Sequence, residues 1–120
     1  MKIDIIVDTI CPWCYVGKKR FEKALSIRPQ PDLDVGWRAF QLNPRMPPAG
    51  MDRRDYISEK FGGMDRARAV HSSLVQAGAE EGVEFNFSHI DRTPNTIHSH
   101  RLVRHAAEHG LQTPSHAYSN

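Results

Sequence analysis

The sequence predicts an α/β fold that opens with a βαβ unit and continues in helices. Three observations lead there. Ile3 to Val7 is a nearly continuous apolar run, as in a strand covered on both faces of a parallel sheet. From Pro12 the pattern turns helical, with Phe21, Ala24 and Leu25 at i, i+3 and i+4 and Cys14 seven before Phe21. Leu33 to Phe40 then alternates, Leu33, Val35, Trp37 and Ala39 against Asp34, Gly36, Arg38 and Phe40, which is the period of a strand. Strand, helix and strand at this spacing form a parallel unit with a right-handed crossover.

Each element has its own punctuation. Asp8 and Thr9 end the first strand, and Pro12 suits the first helical turn, where its missing N–H costs nothing. That leaves Cys11 at or just before the helix N-terminus. Pro29 and Pro31 mark the helix exit, and Asn43 to Gly50 is a proline-rich loop. Arg53 to Phe61 reads as a helix stopped by Gly62-Gly63, and Met64 to about Ala79 as a second, with Ala67, Val70, Leu74 and Ala77 in its stripe. Val83, Phe85 and Phe87 alternate in a connector. Asn95 or Thr96 caps a third helix with an apolar face of Leu102, Val103, Ala106 and Ala107 and a stop at Gly110. The organisation is thus a βαβ part over residues 1–44, a helical stretch over 45–110 and an irregular tail over 111–120. Two parallel strands fall short of the three or more that a sheet needs to stand alone, so the sheet is expected to be incomplete, its remaining strands lying outside these residues.

The 120 residues suit one domain with a usable core. With Lys+Arg at 16 against Asp+Glu at 14, charge is near balance and calls for no nucleic-acid or membrane partner. No stretch approaches the roughly 20 apolar residues that cross a bilayer. The opening apolar run is interrupted by Asp4 and Asp8 and is followed by no small-residue cleavage site, so it reads as a strand and not a secretory signal. The expected compartment is the cytoplasm, where stable structural disulfides are uncommon.

In that setting the two cysteines of the chain, Cys11 and Cys14 in "CPWC", carry most of the functional information. They read as a redox pair, as half of a metal site, or as an inert pair. A closed zinc site needs four ligands; there is no second cysteine pair, and the nearest histidine, His71, lies on another element, so no metal is expected. The strand-turn-helix setting favours the redox reading. Unpaired N–H groups at a helix N-terminus stabilise a thiolate, which makes Cys11 the attacking nucleophile. Cys14, one turn further in, is then the resolving thiol. The intervening Pro12-Trp13 tunes a redox poise that ranges from about −270 to about −120 mV among dithiol enzymes. Asp8 has two readings, proton transfer for Cys14 or a hydrogen bond that ends the strand. Trp13 is either a substrate-facing surface beside Cys11 or a packing residue of the turn. Tyr15 and Val16 read as helix packing, and His98, His105 and His109 as a solvated face, although His105 and His109 at i and i+4 have a metal-binding spacing.

Several segments together resemble one family. "DTICPWCYVGKKRFEKAL", "WRAFQLNPRMPPAGMDRRDYISEKFGG", "GVEFNF" and "PNTIHSHRLVRHAAEHG" are similar to the cytoplasmic DsbA-like thioredoxin-fold oxidoreductases of the FrnE type, relatives of 2-hydroxychromene-2-carboxylate isomerases and kappa-class glutathione transferases. The resemblance runs from about residue 3 to residue 110. It implies a thioredoxin fold interrupted by a helical insertion, with Cys11 and Cys14 as its redox-active pair and no cofactor beyond that disulfide. It also implies that Pro12, Trp13 and the stretches around Asn43 and Asn95 border the substrate cleft, although a loop hydrogen bond for Asn43 and a helix cap for Asn95 remain open. Ala39 and Ser99 stand where the family usually has proline and alanine. The family's later part, with the remaining strands, the last helix and a cis-proline loop facing the CxxC, does not appear in these residues.

The expected function is a thiol–disulfide oxidoreductase acting through a Cys11 mixed disulfide on thiol or disulfide substrates, protein or small molecule. The runner-up is a glutathione-dependent isomerase or transferase on the same fold, with glutathione as co-substrate. Such relatives generally carry serine where Cys11 stands. The third reading is an inactive truncated fragment whose exposed apolar surface invites a homodimer or another partner.

Overall fold

A computed structural model describes residues 1–109. The chain runs β1 (Lys2–Val7), α1 (Pro12–Ile27), β2 (Asp34–Ala39), β3 (Met51–Asp52), α2 (Arg53–Phe61), α3 (Met64–Glu80), a 3-10 turn (Phe87–His89), β4 (Arg92–Thr93) and α4 (Ile97–Glu108). It is a mixed α/β structure that divides into two compact units. One joins Met1–Leu42 to α4, and the other is Asn43–Asn95. Among the described residues no helix is long and apolar enough to cross a membrane.

In the first unit β1 and β2 pair in parallel, with Ile3 opposite Val35, Ile5 opposite Trp37 and Val7 opposite Ala39. The crossover between them is α1. Ile3, Ile5 and Val7 turn to the protected face, and Val7 is buried. The expectation that β1 is covered on both faces does not hold in the described residues, because Ile6 is 63% exposed. Asp4 shares that outer face and meets Arg38 at 3.7 Å. Gly36 stands directly opposite Asp4, and a Cβ there would come within 2.6 Å of the Asp4 carboxylate, so glycine leaves room for that side chain to lie across the neighbouring strand.

The inward stripe of α1 is Cys14, Lys18, Phe21 and Leu25, spaced i, i+4, i+7 and i+11, with Val16 beside it. Lys18 is buried, and its ammonium is paired with Glu22 one turn on. The expected Ala24 of this stripe is exposed, since a four-residue step carries the face from Phe21 to Leu25. Along α4 and its N-cap the buried positions are Thr96, His100 and Val103, with Ala106 half-buried, so Val103 and Ala106 of the expected face turn inward while Leu102 and Ala107 do not. Leu102 points to solvent at 69% exposure.

The second unit packs α2 against α3 around Tyr56, Ile57, Ala67, Leu74 and Ala77. The Asp52 carboxylate caps α2 by accepting from the Arg54 and Asp55 N–H groups at 2.9 and 3.3 Å. Gly62, at φ 74°, ends the helix in the left-handed conformation. An antiparallel ribbon of β3 and β4 closes the unit and was not expected from the sequence. Two residues per strand are too few to show a period.

Candidate active site

The site grows from the junction between β1 and α1. β1 delivers Asp8, the turn carries Thr9 and Ile10, and Cys11 is the N-cap of α1 with Pro12 at its first position. The Cys11 carbonyl accepts from the Cys14 and Tyr15 N–H groups at 3.1 and 3.3 Å, which starts the helical ladder on the cysteine itself. The Cys11 N–H donates back to the Asp8 carbonyl at 3.4 Å. No side chain caps the helix, so the first-turn N–H groups and the positive end of the helix dipole face the Cys11 end of α1.

Both cysteines are half-buried thiols with no disulfide between them. The Cys14 thiol is held well above the ordinary thiol range. The largest cause is its hydrogen bond to Cys11, followed by burial. A backbone hydrogen bond at Asp8 acts the other way, and the charges of Cys11 and Asp8 add smaller upward pushes. Hydrogen bonding to Cys11 and burial thus both favour the protonated form of the Cys14 thiol. Trp13, between them, is 46% exposed at the start of the helix.

Asp8 is the best-satisfied polar group of the unit. Its carboxylate has no solvent exposure. Oδ1 accepts from the Thr9 N–H at 2.7 Å and from His100 Nε2 at 3.0 Å, and Oδ2 accepts from the Leu42 N–H at 2.8 Å. Asp8 thus ties the end of β1, the chain leaving β2 and α4 to one carboxylate. These bonds agree with the reading of Asp8 as the residue that ends the strand, and its charge gives the Cys14 thiol a small upward push. Thr9 Oγ1 and Ser99 Oγ lie 2.8 Å apart and make a second, more exposed tie from the same turn to α4.

His100 is the residue that sequence reasoning missed. The histidines singled out were His98, His105 and His109, the exposed ones on α4. The available signal was the spacing Thr96, His100, Val103, which puts a histidine in the middle of an inward stripe. The His105 and His109 rings lie 4.1 Å apart, tilted by 36°, and His109 Nδ1 is 2.9 Å from the carbonyl of His105. Among the described residues no three His, Cys, Asp or Glu side chains group closely enough to hold a metal.

Asn43 and Asn95 belong to the second unit. The Asn43 carbonyl accepts from the Met46 N–H at 3.2 Å, and the Asn95 amide donates to the Met46 carbonyl at 2.7 Å. Asn95 therefore closes the proline-rich loop from the other side. The N-cap position of α4 is Thr96, whose side chain makes no capping bond. The expected stop at Gly110 and the irregular tail over 111–120 lie outside the described residues.

Comparisons with known proteins agree with this architecture. The sequence matches the DSBA-like thioredoxin domain over residues 2–119. It is 32% identical over 95 residues to the uncharacterized protein YwbO of Bacillus subtilis (strain 168), a match that covers 78% of this chain and 42% of that protein. The structure superposes on the crystal structure of a probable DsbA oxidoreductase from Streptomyces coelicolor with a TM-score of 0.79 and 35% sequence identity, covering 92% of this chain and 48% of the other. The chain spans less than half the length of each of these relatives. The family match over residues 2–119, together with the βαβ opening that carries Cys11 at a helix N-terminus, places this chain in the DSBA-like thioredoxin domain family.

Proposed function

We propose that this chain is a FrnE-type thiol–disulfide oxidoreductase that works through the Cys11–Cys14 dithiol. The observation that carries the reading is the pair itself: Cys11 stands at the N-cap position of α1, and Cys14, one turn on, has its thiol pushed up by its hydrogen bond to Cys11 and by burial. In the reducing direction Cys11 attacks a substrate disulfide, forms a Cys11–substrate disulfide and releases one substrate thiolate. Cys14 then attacks the Cys11 sulfur, its proton leaves, the second substrate thiolate departs and the Cys11–Cys14 disulfide remains. The substrate gains the two electrons that the dithiol loses. Dithiol oxidation is the same sequence reversed.

Asp8 is the acceptor for the Cys14 proton in this scheme, because it is a carboxylate at the helix start whose charge reaches that thiol. Pro12 and Trp13 offer the surface next to Cys11, and exposure of the Trp13 ring supports a substrate-facing role. Asn43 and Asn95 are kept as substrate-binding residues on the family resemblance alone; within their own unit both bond to the backbone of Met46. The reading takes thiol or disulfide substrates, protein or small molecule, requires no cofactor beyond the redox disulfide and assigns the protein to the cytoplasm. It includes a homodimer through exposed apolar side chains, of which Ile6 is one. Ile6→Lys is expected to lower the mass measured by light scattering, and an unchanged mass removes Ile6 from that interface.

The test is a pair of substitutions. Cys11→Ser is expected to abolish insulin reduction and dithiol oxidation, whereas Cys14→Ser accumulates the mixed disulfide on Cys11. Full activity in Cys11→Ser overturns the proposal. Saturable glutathione binding without dithiol chemistry points instead to the glutathione-dependent relatives.

A further inference from the structure

The Asp8 carboxylate is fully buried, and its three donors differ in kind. Two are backbone N–H groups, of Thr9 and Leu42, fixed by the chain itself. The third is the ring of His100, brought from a position 92 residues away and 6% exposed at its side chain. A carboxylate removed from water is costly unless its oxygens are hydrogen-bonded, and bonds to an ionised acceptor are of the stronger, charge-assisted kind. His100 is also the one donor of the three that a side-chain substitution can remove. Because an ionised carboxylate only accepts, Nε2 carries the proton in this contact. The other buried charge of the unit among the described residues, Lys18 on α1, is paired with Glu22.

We propose that His100 is a positioning residue for the resolving step: its Nε2–H holds the Asp8 carboxylate in place as acceptor for the proton that leaves Cys14. This inference rests on the dithiol reading above. When Cys14 attacks the Cys11 sulfur of a mixed disulfide, the Cys14–Cys11 bond forms, the Cys11–substrate bond breaks and the substrate thiolate leaves. The Cys14 proton passes to Asp8 and from there to solvent or the departing thiolate. His100 acts through Asp8 and governs the second step only, so capture of substrate by Cys11 is insensitive to it.

The experiment separates the two steps in single turnover of the full chain, with oxidised glutathione as the probe and acid quenching followed by mass spectrometry as the readout. Appearance of the Cys11–glutathione adduct measures capture, and its loss to the internal disulfide measures resolution. His100→Leu is expected to capture within about twofold of the wild type and to resolve about tenfold or more slowly, within the range of one positioned proton acceptor. His100→Gln, whose amide nitrogen reaches about as far as Nε2, is expected to restore resolution to within about threefold. Normal capture with unchanged resolution in His100→Leu overturns the inference and leaves the dithiol reading intact. Capture and resolution slowed alike, with no rescue by His100→Gln, reduces His100 to packing and also overturns it. No capture by the wild type overturns the dithiol reading itself, and this inference with it. If His100→Leu does not melt cooperatively, the same rates are read in His100→Asn, whose shorter amide stops short of Asp8. Slow resolution there supports the inference, and unchanged resolution overturns it.

Discussion

Asp8 has three donors for its two carboxylate oxygens and no exposed surface, so it cannot be replaced by its amide without loss. Asp8→Asn turns an NH2 toward one of those donors. It is expected to cost about 3 kcal/mol in urea unfolding, the scale of a broken buried pair. His71 gives a pH prediction. Its ring stacks on Phe87 at 4.3 Å and meets the edge of Phe61, and burial, with the charge of Arg53 second, holds its pKa below the usual histidine value. The neutral ring is then favoured by folding, and the unfolded chain binds the extra proton. The stability His71 contributes is present above about pH 6.5 and is lost as pH falls toward its folded pKa. Urea titrations from pH 7.5 to 5 are expected to show a decline that His71→Leu flattens. At this scale the CxxC and Asp8 were legible because their types and neighbours announce them. His100 was not, because its burial depends on a partner 92 residues away that no local pattern reports.

Helix ends were the most readable elements. Pro12 and Gly62 each act within one turn, and the structure starts or ends its helices there; the Asp52 cap of α2 was shown by the structure. Asp52→Ala is expected to cost about 1 kcal/mol of stability, the usual worth of an N-cap side chain. The β3–β4 ribbon rests on a contact that sequence cannot express. Gly50, at φ 78°, lies so close to β4 that a Cβ would come within 2.6 Å of the Thr93 carbonyl oxygen. Gly50→Ala therefore combines a left-handed backbone with a backbone clash, and thermal denaturation is expected to show a clear drop in Tm. Gly78 repeats the lesson in α3, where a Cβ would meet the Phe85 ring at 2.7 Å. Helical periodicity treats such a glycine as neutral, yet its missing side chain makes the seat for an aromatic ring. The face of α4 was read in part. Val103 is buried as expected, but Leu102, also counted inward, faces water, and the inward stripe takes in His100, which bonds to Asp8.

For the whole molecule, the βαβ opening and the family match over residues 2–119 agree on a DsbA-like thioredoxin domain, and the chain covers 48% of the related oxidoreductase of known structure. The parallel pairing of β1 and β2 was legible because the two strands and the helix between them follow one another in sequence. The division into two units depends on contacts between distant segments and was not. The central claim concerns a dithiol that both captures and releases its substrate, and one measurement addresses it directly. Reduced wild-type chain and Cys14→Ser are each mixed with oxidised glutathione, and the products on Cys11 are read by peptide mass spectrometry. The account predicts a Cys11–Cys14 disulfide with no lasting adduct in the wild type, and a persistent glutathione adduct on Cys11 in Cys14→Ser. A wild type that keeps the adduct, or whose two thiols remain reduced, would contradict it.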